Sequence, residues 1–97
     1  MIIVNVTYTM KEGKTADEFL SELEYSGFAE HCRKEPGNRA YQYHCSADDS
    51  KHLYLLEKWE DEAALKTHME TENFAAISQM TERYALDMDL NKVDTGD

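Results

Sequence analysis

The stretch His52-Leu53-Tyr54-Leu55-Leu56-Glu57-Lys58-Trp59-Glu60 decides how this chain folds. It is rich in aromatic and large apolar residues and reads as a strand. Side chains alternate across a strand, so Leu53, Leu55 and Trp59 share one face while Tyr54 and Leu56 share the other. A strand in a sheet with one solvated face alternates apolar and polar residues more cleanly than this. Both faces of this strand are therefore expected to be covered.

Upstream, the turn-rich Ala47-Asp48-Asp49-Ser50 separates it from a second strand over 39–46, and the two form a hairpin. Before that hairpin, Pro36-Gly37 ends a helix that opens at Thr15, where Glu18 completes a capping box. Ala16, Phe19, Leu20 and Leu23 follow the spacing of a one-sided helix, and Phe28 and Cys32 continue its apolar side. Gly27 either kinks this helix or splits it in two. Residues 2–10 alternate and are β-branched, giving a first strand with Ile2, Val4, Val6 and Tyr8 on one face and Ile3, Asn5, Thr7 and Thr9 on the other.

Downstream, Asp61 is the N-cap of a short helix reaching about His68. Thr71 or Glu72 restarts helix, with Phe74, Ile77, Met80 (or Thr81) and Tyr84 along one side. A last strand over 85–93 sets Leu86, Met88 and Leu90 against Asp87, Asp89 and Asn91. Asp94 to Asp97 form a frayed polar tail.

The order is βαββαβ, an α+β, ferredoxin-like arrangement in which helices cover one face of a four-stranded antiparallel sheet. A single domain spans 1–97. The chain has no spare element for the second sheet face that residues 53–59 ask to be covered. A second copy of the sheet would cover it, which predicts a homodimer.

Composition narrows the function. With 20 Asp+Glu against 10 Lys+Arg, the surface repels phosphate backbones and anionic membranes, so neither nucleic acid nor a membrane is an expected partner. The N-terminal apolar run lacks a basic flank and a cleavage site, and two cysteines make no disulfide framework. These point to the cytoplasm. The glycines at 13, 27, 37 and 96 are too far apart for a dinucleotide loop or a P-loop. His44 and Cys45 point to opposite strand faces, and no CxxC or HxxxH spacing exists, so no metal site is expected.

A few residues carry candidate chemistry. An imidazole suits proton abstraction from a phenol or an acidic C–H, which makes His68 the first candidate, though a helix-end histidine is also favoured by the helix dipole. Asn5 on a buried sheet face needs partners; it would hydrogen-bond a substrate oxygen or bridge a dimer contact. Glu57 lies between Leu55 and Trp59, so it is either paired with an arginine or raised in pKa. Trp59 is a core anchor or a ligand platform. Tyr41 and Tyr43 share a strand face and line an aromatic pocket or pack at the sheet rim.

Glu35-Pro36-Gly37-Asn38, Tyr41, the run Leu55 to Leu65, His68 and Asn73-Phe74, taken in order and spacing, resemble the antibiotic-biosynthesis-monooxygenase family. The resemblance spans nearly the whole chain. It implies a dimeric α/β barrel, two ferredoxin-like units packed sheet to sheet, with a small-molecule pocket between sheet and helices in each. The family includes quinol monooxygenases, anthrone oxygenases, an isomerase and haem-degrading enzymes. The haem-degrading branch uses an Asn, a Trp and a His; Asn5 matches the first, but His68 and Ser78 stand at the other two positions. Without an axial histidine, haem is not expected.

The leading expectation is a cofactor-independent monooxygenase acting with O2 on a quinol-like or polycyclic phenolic small molecule. His68 and Asn5 would be catalytic, and Tyr41, Tyr43, Glu57, Trp59 and Met80 would hold the substrate. One alternative is an isomerase of a small carbonyl compound in which His68 and Glu57 shuttle a proton. Another is a non-catalytic binding dimer, for which five methionines and six tyrosines offer a forgiving cavity.

Overall fold

The computed structural model describes residues 1–96. The chain runs through β1 (Ile2–Met10), α1 (Ala16–Tyr25), α2 (Phe28–Arg33), β2 (Asn38–Cys45), β3 (His52–Trp59), α3 (Glu62–Met69), α4 (Glu72–Tyr84) and β4 (Ala85–Asp94). The sheet order is β2-β3-β1-β4, with every neighbouring pair antiparallel. This is the ferredoxin-like α+β architecture, and β3 lies inside the sheet as its apolar content requires.

The helices start where their caps dictate. Thr15 Oγ1 accepts from the Glu18 N–H while the Glu18 carboxylate accepts from the Thr15 N–H, closing the capping box. Asp61 and Thr71 cap α3 and α4 in the same way, accepting from the N–H groups of Ala64 and Phe74. Gly27, at φ +79°, splits α1 from α2, a left-handed conformation that glycine adopts without cost.

One sheet face carries Ile2, Val4, Val6, Tyr8, Tyr41, Leu53, Leu55 and Trp59, all buried under Phe19, Leu23, Cys32, Leu65, Ile77 and Met80 from the helices. Phe19 stacks on Tyr84 at 5.0 Å and meets Tyr8 edge-on. The other face carries Ile3, Asn5, Thr7, Tyr54 and Leu56, half-buried or exposed, and no element covers it among the described residues. The two-sided apolar character of β3 is thus met on one side only within one chain.

Strand β4 departs from simple alternation. Its register slips between Thr9 and Met10, which pair with Asp87 and Ala85, leaving Leu86 as the extra residue of a bulge. Leu86 is 72% exposed, and Met88 and Leu90, on the helix-facing side opposite Tyr8 and Val6, are also exposed because the helices do not extend over this edge strand. The start of the expected frayed tail is paired: Asp94 pairs with Ile2, and the Thr95 N–H donates to the Met1 carbonyl. Asp97 lies outside the described residues. Among the described residues, no helix is long and apolar enough to cross a membrane.

The turn after α2 is built on Gly37, at φ +83°, where an added Cβ would meet the Ala64 Cβ at 2.6 Å. Its carbonyl accepts from the Glu60 N–H at 2.8 Å, fastening this turn to the start of α3. Gly37→Ala therefore combines a disfavoured backbone with a clash against α3. A loss of about 1–3 kcal/mol or more is expected, read as a lower urea midpoint at unchanged slope.

Candidate functional site

His68 stands in the last turn of α3 and is 2% exposed. It is a buried group and not the partly exposed helix-end residue that the dipole argument alone would give. Trp59 lies against its ring at 4.6 Å, and Phe74 and Tyr41 meet it edge-on at 5.2 and 5.9 Å. Its Nδ1 is 3.1 Å from both carboxylate oxygens of Glu35. An ionised carboxylate only accepts, so Nδ1 carries the proton and donates. In the neutral ring, Nε2 is left with its lone pair.

That lone pair faces Glu57, whose Oε1 is 3.7 Å from Nε2, longer than a hydrogen bond. Glu57 Oε1 instead accepts from the Trp59 indole N–H at 2.9 Å. The expected arginine partner of Glu57 is replaced by this indole. Burial pushes the Glu57 carboxyl up, with the Trp59 hydrogen bond and then His68 offsetting part of that rise and Glu35 adding to it. A raised carboxyl means the folded state holds its proton longer than the unfolded chain. The resulting stability is complete below the unfolded carboxylate value and is lost as pH rises through the folded one. Glu57→Gln removes that loss and still accepts from Trp59. Its melting temperature should match the parent near pH 4 and exceed it at pH 8, checked by thermal scans across pH.

Behind the imidazole, Cys32 Sγ accepts from Asn73 Nδ2 at 3.2 Å. Burial, followed by the neighbouring Glu35, pushes its thiol up to about 12. Cys32, Glu35 and His68 place their donor atoms within 4.8 Å of one another and are a set that could gather around an ion. A thiol held in its protonated form is a poor ligand, however, and Glu35 already accepts from the imidazole.

A cavity of about 320 Å³ opens over this group, within the range of small-molecule sites. Buried Tyr41, Leu55, Glu57 and His68 form its floor, Phe74, Ile77, Ser78 and Thr81 its α4 wall, and exposed Glu82, Leu86, Asp87 and Met88 its mouth. The β4 bulge lets the consecutive residues Ala85 to Met88 all border the opening. Burial keeps the Tyr41 phenol far above its ordinary range, so it is a neutral wall.

The residues singled out in the sequence are thus partly brought together. His68, Glu57 and Tyr41 line the cavity. Tyr43 and Trp59 stand behind them, Tyr43 through a 3.3 Å contact of its hydroxyl with that of Tyr41 and Trp59 through its tilted contact with the imidazole, while Met80 belongs to the core. The reading of Asn5 as a substrate ligand in this cavity is corrected: alternation along β1 sends it to the open sheet face, exposed, with the sheet between it and His68. Glu35 is the residue the sequence reading missed as chemistry. It appears there only within a family-like motif, and no spacing rule links it to a histidine 33 positions later.

The family model described as antibiotic biosynthesis monooxygenase matches residues 1–80. The chain belongs to that family. The chain is similar to a Bacillus subtilis (strain 168) protein named "Putative monooxygenase YcnE", 37% identical over 73 residues, which cover 75% of each chain. The chain is also similar to the crystal structure of PA3566 from Pseudomonas aeruginosa, with a TM-score of 0.82 and 28% identity over 95% of this chain and 90% of that one. The crystal structure of an antibiotic biosynthesis monooxygenase superposes with a TM-score of 0.79 and 26% identity, covering 98% of both chains.

Proposed function

We propose that this chain is a cofactor-independent monooxygenase that oxidises a quinol-like or polycyclic phenolic molecule with O2. The observation that carries the reading is the Glu35–His68 pair at the floor of an apolar, aromatic-walled cavity. Glu35 fixes the Nδ1–H tautomer, and His68 Nε2 takes the proton of the substrate hydroxyl. The imidazolium so formed is stabilised by the same carboxylate. The phenolate, held in a dry pocket, passes electron density to O2 directly. One oxygen atom enters the ring and the other leaves as water; the substrate supplies all four electrons, and a hydroquinone becomes a hydroxyquinone. Oxygen uptake across a hydroquinone panel tests this. Turnover above the protein-free rate is expected with at least one flat diol; rates equal to that control throughout would overturn it.

A second reading is favoured by Glu57, whose carboxyl is pushed up while His68 offers a lone pair to the same cavity. A buried carboxyl and an imidazole lining the same cavity suit proton shuttling in the isomerisation of a small carbonyl compound. Conversion of isomers without oxygen would select it.

The open sheet face supports a sheet-to-sheet homodimer, in which Leu56, Ile3 and Tyr54 meet their symmetry mates and Asn5 finds a partner across the contact. Light scattering on a sizing column is expected to give twice the 11.2 kDa chain mass, and Leu56→Glu to halve it.

A further inference from the structure

The open sheet face is divided by charge. His44, His52 and Lys58 stand on its β2–β3 half and Asp87 and Asp89 on its β4 edge, while β1 between them presents no charged residue. His52 is already paired with Asp49 of the hairpin turn. His44 and Asp89 are both exposed, at opposite edges of the sheet.

The strand registers align these residues into rows that cross the whole sheet. From β2 to β4, one row runs His44, Tyr54, Thr7, Asp89. The next runs Gln42, Leu56, Asn5, Asn91, and the one after it Ala40, Lys58, Ile3, Val93. The two ends of each row suit one another: an imidazole and a carboxylate, two amides, two apolar side chains. A two-fold axis between two aligned sheets runs either across the strands or along them. Across the strands, β4 lies over its own copy, and two acidic edges are brought together without a cation. Along the strands, β2 lies over the partner's β4 and β3 over the partner's β1, so each row meets the same row reversed. β3 and β1 then flank the axis, which keeps Leu56 and Ile3 at the centre of the contact.

We propose that a second copy of this chain docks with its two-fold axis along the strands: His44 of each chain donates to the partner's Asp89, Gln42 faces the partner's Asn91, and Ala40 faces the partner's Val93. This rests on the homodimer reading and adds to it the register in which the two copies meet. An imidazole N–H donates to a carboxylate in either protonation state of the ring. The symmetry makes each contact twice. Opposite charge on the facing halves selects this orientation over the crosswise one more than it adds affinity.

The test is the dimer dissociation constant from analytical ultracentrifugation, in the parent protein and in variants at exposed positions. H44D sets a carboxylate against the partner's Asp89 twice per dimer and should weaken the dimer at least about tenfold. H44D/D89K turns both repulsions into ion pairs and should return the constant to within about threefold of the parent. H44D/D94K has the same net charge, but position 94 pairs with Ile2 on the helix side of the sheet, so this variant should stay as weak as H44D. Rescue by D89K and not by D94K supports the inference. A dimer that H44D leaves unchanged, or one rescued by both lysines or by neither, overturns the register and leaves the homodimer intact. A parent protein that sediments as a monomer overturns both.

Discussion

His68→Ala is expected to bring oxygen consumption down to the uncatalysed rate, a loss of about 10²–10⁴-fold if the imidazole is the general base. The argument is geometric. His68 is the one lining group with both a free lone pair and a carboxylate behind it, through the 3.1 Å contacts to Glu35. Glu35→Gln should cost about a hundredfold or more although Glu35 never touches the substrate. A glutamine amide can donate to Nδ1, which lets the ring take the other tautomer and turn an N–H toward the cavity. Because proton transfer is affected more than binding, kcat should fall while KM stays within about threefold. His68→Gln fills more of the vacated volume than alanine, so its circular dichroism and melting curve separate lost chemistry from lost folding. Retention of most of the turnover in a folded His68→Gln protein would remove the base from the mechanism.

Trp59→Ala should have the largest effect on stability, about 3–5 kcal/mol. Trp59 is fully buried, lies tilted against the His68 ring and donates to Glu57. Removing it opens a cavity beside the site and also orphans a buried carboxylate. For a domain whose whole stability is about 5–15 kcal/mol, much of the folded population is then lost at physiological temperature. Trp59→Phe separates the two contributions. It keeps most of the ring volume and removes the N–H, so its cost should be about 1–3 kcal/mol, read from urea midpoints. Equal destabilisation by both substitutions would mean that the hydrogen bond, and not the packing, dominates.

The elements of this fold were legible because local signals agree with one another. Thr15, Asp61 and Thr71 each mark a helix start that the capping hydrogen bonds realise, and Gly27 marks the break between α1 and α2. The apolar residues of β3 placed it inside the sheet. What escaped reading depends on contacts distant in sequence. Asn5 was assigned to a strand face correctly, but which face carries the cavity is decided by where α3 and α4 pack. The bulge at Leu86 is a register slip against β1 that no alternation in β4 announces. Glu35 becomes chemically meaningful only when α3 brings His68 to it. The residues at 41, 57 and 68 were found because an aromatic, a carboxylate and an imidazole each stand out against apolar neighbours.

Mass spectrometry of the product formed from a hydroquinone under ¹⁸O2, quenched before exchange with solvent, tests the central claim most directly. The account predicts one labelled oxygen in the hydroxyquinone for each O2 consumed, at a yield that collapses in His68→Ala. A product whose new oxygen comes from water, or a labelled yield that is the same with and without the protein, would contradict it.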